Sequence, residues 1–165
     1  MMLGSASIAD PPAAEGGPGA AGVKKLLDES GLKFKWDDAN KVGTISFTEV
    51  KDACSDAVFV YSNNDEKGYY VIFNLCIMDK GAGYTYPPAF MRKCMELNNN
   101  NPVVKLGWNR KSGKIYGTFG VDMDALPARI FKDYVTTMIR QGDRIAGELK
   151  AFLAAAEELA TDEKK

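Results

Sequence analysis

From about Leu126 to Ala160 the sequence carries one helical stripe. Ile130, Phe131, Tyr134, Val135, Met138, Ile139, Ile145, Leu149, Phe152 and Leu153 recur at three- and four-residue spacing, so one face of a helix is apolar along most of this length. At ~1.5 Å per residue such a helix runs roughly 50 Å. It needs a broad apolar surface to lie on, and Gly142 and Gly147 are positions where it can bend. Without a bend, its far end, LKAFLAAAEELA, reaches past a small sheet. Leu149, Phe152 and Leu153 are then candidates for an interface with a second copy, and a homodimer is the expectation.

The surface comes from segments of period two. In LKFKWD, Leu32, Phe34 and Trp36 alternate with Lys33, Lys35 and Asp37, the pattern of a strand with one buried face. VGTISFTEV, AVFVYS and YYVIFNLCIM predict three more strands, with turns at DDANK and NNDEKG. Tyr69–Met78 is apolar on both faces, which predicts a central strand covered on both sides, and its one amide, Asn74, needs a hydrogen-bond partner. VVKLGWN and KIYGTFGVD, separated by RKSG, predict a closing hairpin.

Two further helices complete the pattern. GVKKLLDESG places Val23, Leu26 and Leu27 on one face and ends on Gly31, a C-capping residue. After the loop DKGAGYTYPP, with Thr85 as a possible cap and Pro87 and Pro88 tolerated in a first turn, Phe90, Met91, Cys94 and Met95 recur at helical spacing. That helix runs into Asn98–Asn101 and Pro102. Asparagine tolerates the left-handed conformation and its amide satisfies free backbone groups, while Pro102 pushes Asn101 towards extended backbone, so the run reads as a helix-to-strand connector. A substrate-binding amide ladder is the alternative. The order is α-β-β-β-β-α-β-β-α, an α+β fold with helices packed on an antiparallel sheet.

Composition narrows function by exclusion. The formal net charge is −1 with charges interspersed, which gives no basic patch for nucleic acid and no polybasic membrane patch. There is no histidine, so Ser-His-Asp and Cys-His nucleophile systems and histidine-ligated metals are absent, and the expectation is a protein that is not an enzyme and holds no cofactor or metal. Cys54, Cys76 and Cys94 are odd in number and widely spaced, which predicts reduced thiols in a cytoplasmic protein rather than a disulfide framework or a zinc site. Residues 1–19, rich in Gly, Ala and Pro and lacking a basic and apolar leader pattern, predict a disordered tail ahead of a single domain over 20–160.

The segment from Cys94 to Phe152 resembles the YbjN-domain family, a family of candidate bacterial sensory transduction regulators with a fold like that of type III secretion chaperones. MELNNNN resembles the family's ending of the middle helix, KLGWNRKSGKIYGTF its closing hairpin, VDMDALPARIF the lead-in to its last helix, and GDRIAGELKAF its helical tail. Weaker similarity reaches back to Val23. The resemblance implies a non-enzymatic regulatory or chaperone-like domain, dimeric, with a protein client as partner and no catalytic residue to transfer.

Trp36, Tyr61, Tyr84, Tyr86, Trp108 and Tyr116 are the candidate partner-binding residues. Aromatic rings with polar tips suit half-exposed interfaces, and cross-strand core packing is the competing reading. GAGYTYPP, Gly81–Pro88, combines glycines, two tyrosines and a helix start, so a small-molecule sensor with a pocket beneath this loop is the alternative function. The acids of VDMDALP, with Asp124 as a cap, read as helix-start residues rather than an acid–base pair.

Overall fold

The computed structural model describes residues 18–124 and 126–162. The elements follow in the order α1 (Gly19–Ser30), β1 (Lys35–Asp37), β2 (Val42–Ser46), β3 (Ala57–Ser62), β4 (Tyr70–Asp79), α2 (Pro88–Asn100), β5 (Lys105–Asn109), β6 (Lys114–Asp122) and α3 (Ala128–Asp162). The strands form one sheet in the order β1-β2-β3-β4-β6-β5, antiparallel throughout. The α+β class and element order predicted from periodicity are those observed. Most of the predicted tail, residues 1–17, lies outside the described residues, and Gly19 already opens α1.

The register assigns each side chain to a face, because paired residues point the same way. Phe73 on β4 pairs with Phe119 on β6, and Phe73 also packs on Phe131 of α3 with ring centroids 5.4 Å apart. Val58, Val60, Val71, Leu75 and Ile115 share this side, and all are within 1% of complete burial. Leu27 of α1 lies over Gly43 of β2, and Phe90 of α2 stacks on Tyr86, which meets Trp108 of β5 edge-on. All three helices therefore cover one face. Each large ring removed from water here contributes about 2–3 kcal/mol.

Periodicity predicts cover on both sides of β4, and here the structure differs. Ile72 and Asn74, on the face away from the helices, are only half-buried, and Tyr70 is exposed. Apolarity on both faces marks a central strand, but three helices on one side suffice to make the core.

α3 runs as one unbroken helix through Gly142 and Gly147. A Cβ at Gly142 would overlap Leu75 Cδ2 and lie 3.2 Å from Ile77 Cδ1, so the missing side chain lets α3 lie directly on β4. Close approach buries the far end of the stripe within the same chain. Leu149 is fully buried, Leu153 is 2% exposed, and Phe152 packs half-buried against the core. An unsatisfied stripe was the reason for expecting a second copy at Leu149, Phe152 and Leu153, and that reason is gone. Lys93 of α2 bridges Glu148 of α3 at 2.8 Å on the same flank.

The asparagine run ends α2 through the extended backbone that Pro102 imposes, and none of its residues is left-handed. Asn101 is extended, φ −111° and ψ 111°, and its Oδ1 accepts from the N–H groups of Val103 and Val104 at 3.0 and 3.1 Å. Pro102 forces the extended form, and the amide turns the chain into β5. Thr85 does not cap α2: Pro87 occupies that position with no side-chain capping bond. Asp124 does not cap α3, which starts only at Ala128.

Candidate protein-interaction face

The sheet face away from the helices is built by the same register. One row crosses all six strands: Lys35 faces Thr44, Thr44 faces Phe59, Phe59 faces Asn74, Asn74 faces Thr118, and Thr118 faces Lys105. On one side of it lie Tyr61, Ile72 and Gly120, and on the other Cys76, Tyr116 and Gly107. No helix packs on this face among the described residues. Phe59 is 36% exposed and Tyr70 49%, while Tyr61, Ile72 and Tyr116 are half-exposed. Gly107 and Gly120 add no side chain to it, and a Cβ at Gly107 would meet no atom within 4 Å.

The charges lie at the margins, Lys35 and Lys105 at the two edges of the central row and Asp122 beside Tyr70. An aromatic centre with a charged rim is the anatomy of a protein–protein contact surface. The central Asn74 leaves its Oδ1 buried and without a hydrogen-bond partner, so the partner that the sequence requires for this amide is not supplied by the described residues.

The structure separates the six sequence candidates. Tyr61 and Tyr116 stand on the open face. Trp36 and Trp108 lie on the helix side, paired with Gly43 and Ile115. Tyr86 is core, 3% exposed, and its hydroxyl donates to the Gly113 carbonyl at 3.0 Å. Tyr84 is half-buried, and its hydroxyl donates to Glu157 Oε1 of α3 at 2.7 Å. Burial, with the neighbouring Glu157 for Tyr84 and Tyr84 and Asp79 for Tyr86, pushes both phenols up to about 12. For Trp36, Trp108 and Tyr86 the packing reading holds. Phe59, Ile72 and Tyr70 complete the face without being sequence candidates. Their signal is alternation in AVFVYS and YVIFNLCIM, which becomes a patch only once β3 and β4 are in register.

The Gly81–Pro88 loop is filled rather than hollow. Tyr84 and Tyr86 meet edge-on at 4.8 Å, Tyr86 stacks on Phe90 at 4.6 Å, and the Gly81 backbone packs against Gly113 so closely that a Cβ there would overlap it. The rings occupy the space that a small-molecule pocket under this loop requires.

The cysteines differ from expectation. Cys54 and Cys76 form a disulfide with Cα atoms 5.7 Å apart, and only Cys94 is free and buried. Wide spacing in sequence does not prevent contact when one cysteine precedes β3 and the other lies on β4 beside it. Reduced thiols were one ground for expecting a cytoplasmic protein, and the disulfide removes that ground.

A six-stranded antiparallel sheet with three helices on one face defines an α+β domain with a YbjN-like fold. The chain is similar in structure to Escherichia coli YbjN, described as a candidate transcription regulator, at TM-score 0.60 and 13% identity over 82% of this chain and 93% of that one. It is similar as well to a chain of the HopA1–SchA chaperone–effector complex, at TM-score 0.53 and 12% identity, covering 74% and 91%. A more distant likeness, TM-score 0.49 and 9% identity over 74% and 95%, is to the Yersinia pestis type III secretion chaperone SycH, solved with a fragment of YscM2. No family model and no curated protein matches the sequence. No helix among the described residues is long and apolar enough to cross a membrane.

Proposed function

We propose that this protein is a non-enzymatic protein-binding domain of chaperone or regulatory type, and that it takes an extended polypeptide segment across the open sheet face. The observation that carries this reading is Phe59 and Tyr70, 36% and 49% exposed, on a face that no helix covers among the described residues. The likeness to chaperone–effector and regulator structures supports the class. The patch offers apolar and aromatic contact to a partner, and its charges stand apart at the rim instead of converging on a reacting atom. A sensory or transcriptional role would act through a protein bound on this face. Self-association, if it occurs, uses a surface other than Leu149 and Leu153, since both are already buried.

The test is suppression of aggregation of a chemically unfolded model client, followed by light scattering, for the wild-type chain and for Phe59→Ser/Tyr70→Ser. Suppression by the wild type and its loss in the folded double variant support the reading. Absence of suppression by the wild type, or equal suppression by both, overturns it.

A further inference from the structure

The segment Phe47–Asp56 connects β2 to β3 and is held in three ways. Its ends are closed by the Phe47 N–H donating to the Asp56 carbonyl at 2.7 Å, which makes it a compact loop. Its middle is held by one carboxylate oxygen of α3: Asp143 Oδ1 accepts from the N–H groups of Lys51, Asp52 and Ala53 at 3.0, 2.6 and 2.8 Å. Its last part is held to β4, where the Cys54 N–H donates to the Ile77 carbonyl at 3.2 Å and the Cys54–Cys76 disulfide joins the two segments.

The two halves of the disulfide are unequal. Cys76 is 6% exposed, whereas Cys54 is exposed and lines a surface hollow of about 320 Å³ together with Lys80 and Lys150. Asp79 and Glu157 line it too, with Lys80 3.4 Å from Glu157, so its charges balance and what the hollow offers a thiolate is access to Cys54. The same segment also forms one wall of a larger groove, about 990 Å³, in which Phe47, Val50 and Lys51 face Ile139, Arg140 and Arg144 of α3. One covalent bond to β4 therefore helps to hold, beside the Asp143 clamp, the segment that walls this groove.

We propose that the Cys54–Cys76 disulfide is an exchange site for dithiols, and that its reduction loosens the 47–56 segment and widens the groove between that segment and α3. A thiolate of the dithiol attacks the exposed Cys54 Sγ, the S–S bond breaks, and Cys76 leaves as a thiolate that takes up a proton. The second thiol of the reagent then attacks the mixed disulfide and expels Cys54, which is protonated in turn. The protein gains two electrons and two protons, and the dithiol is oxidised to its own disulfide. The Asp143 clamp remains, so the segment loosens without the sheet unfolding. Cys94 takes no part: it is buried, and burial pushes its thiol up to about 11.

The experiment treats the native full-length chain with dithiothreitol, traps thiols with N-ethylmaleimide, maps the label by mass spectrometry and follows amide hydrogen exchange. Cys54 is labelled only after reduction, Cys94 stays unlabelled, and exchange at residues 51–54 rises about tenfold while β4 and β6 are unchanged. Cys54→Ser without reductant reproduces the faster exchange, and adding Asp143→Asn to it accelerates exchange further. The proposal is overturned by labelling of Cys54 before reduction, by a disulfide that reacts only after denaturation, or by reduction that leaves exchange at 47–56 unchanged. Failure of the client-binding reading leaves these readouts untouched.

Discussion

The side-chain amide of Asn98 pairs with both backbone groups of Leu106: its Oδ1 accepts from the Leu106 N–H at 2.6 Å and its Nδ2 donates to the Leu106 carbonyl at 3.1 Å. β5 lies at the edge of the sheet, so these backbone groups have no strand to pair with. One amide from the last turn of α2 stands in for that strand and blocks pairing with another chain there. Lys105 reinforces the junction by donating from Nζ to the carbonyls of Asn98 and Asn101 at 2.7 and 2.8 Å. Replacing Asn98 with alanine removes both bonds and leaves two part-buried groups unpaired, a cost of about 1–3 kcal/mol. Urea denaturation checks this, with a lower midpoint and an unchanged slope.

Gly142 and Gly147 respond oppositely to alanine. In an exposed helix the change gains about 1 kcal/mol of helix propensity. At Gly142 the new methyl group overlaps Leu75 Cδ2 against a buried strand, and overpacking of this kind costs about 1–3 kcal/mol, so the variant is less stable. At Gly147 the nearest atom to an added methyl is Asp52 Oδ2, 2.9 Å away, at the free end of a side chain that can turn aside. Gly147→Ala is neutral or stabilising, by up to about 1 kcal/mol. Parallel thermal melts of the two variants show the difference in sign.

Asp143 links stability to pH. Burial works to raise its carboxyl, but the three amides of Ala53, Asp52 and Lys51, aided by Lys150, hold it below its ordinary value. A carboxylate with a depressed folded value stabilises the fold above its unfolded value, near 3.8, and loses that contribution as pH falls through the folded value. Asp143→Ala is therefore less stable than wild type at pH 7, by about 2 kcal/mol for hydrogen bonds to a charged group. The gap between the two proteins narrows below about pH 4. Urea midpoints at pH 7, 5 and 3 measure it.

Phe59→Ser and Tyr70→Ser separate binding from folding. Both side chains are only partly buried, so each change costs no more than about 2 kcal/mol of stability. Each removes an apolar contact from the centre or end of the open face, and client affinity falls by about tenfold or more for a side chain at the centre of a contact patch. Circular dichroism establishes folding, and fluorescence anisotropy with a labelled unfolded client gives the affinity ratio.

What the sequence determined by itself is local order. Period-two alternation placed β3 and β6 at their observed bounds, the 3.6-residue stripe placed α3 within two residues at each end, and the asparagine run with Pro102 marked the end of α2. These follow from how a chain positions consecutive side chains, which neighbours in sequence are enough to reveal. Periodicity shows which residues share a face but not what covers that face. Tyr86 and Tyr61 look alike as aromatic residues near sheet elements, yet one is buried edge-on against Trp108 and the other stands on the open side. Leu149 and Leu153 looked surplus only because the contact that Gly142 permits with Leu75 cannot be seen along the chain. The clamp of Asp143 on residues 51–53 spans 90 to 92 positions, and Cys54 meets Cys76 across two neighbouring segments. Burial, pairing and exposure depend on partners distant in sequence, so the tertiary structure alone decided which aromatic residues were core and which stood on the open face.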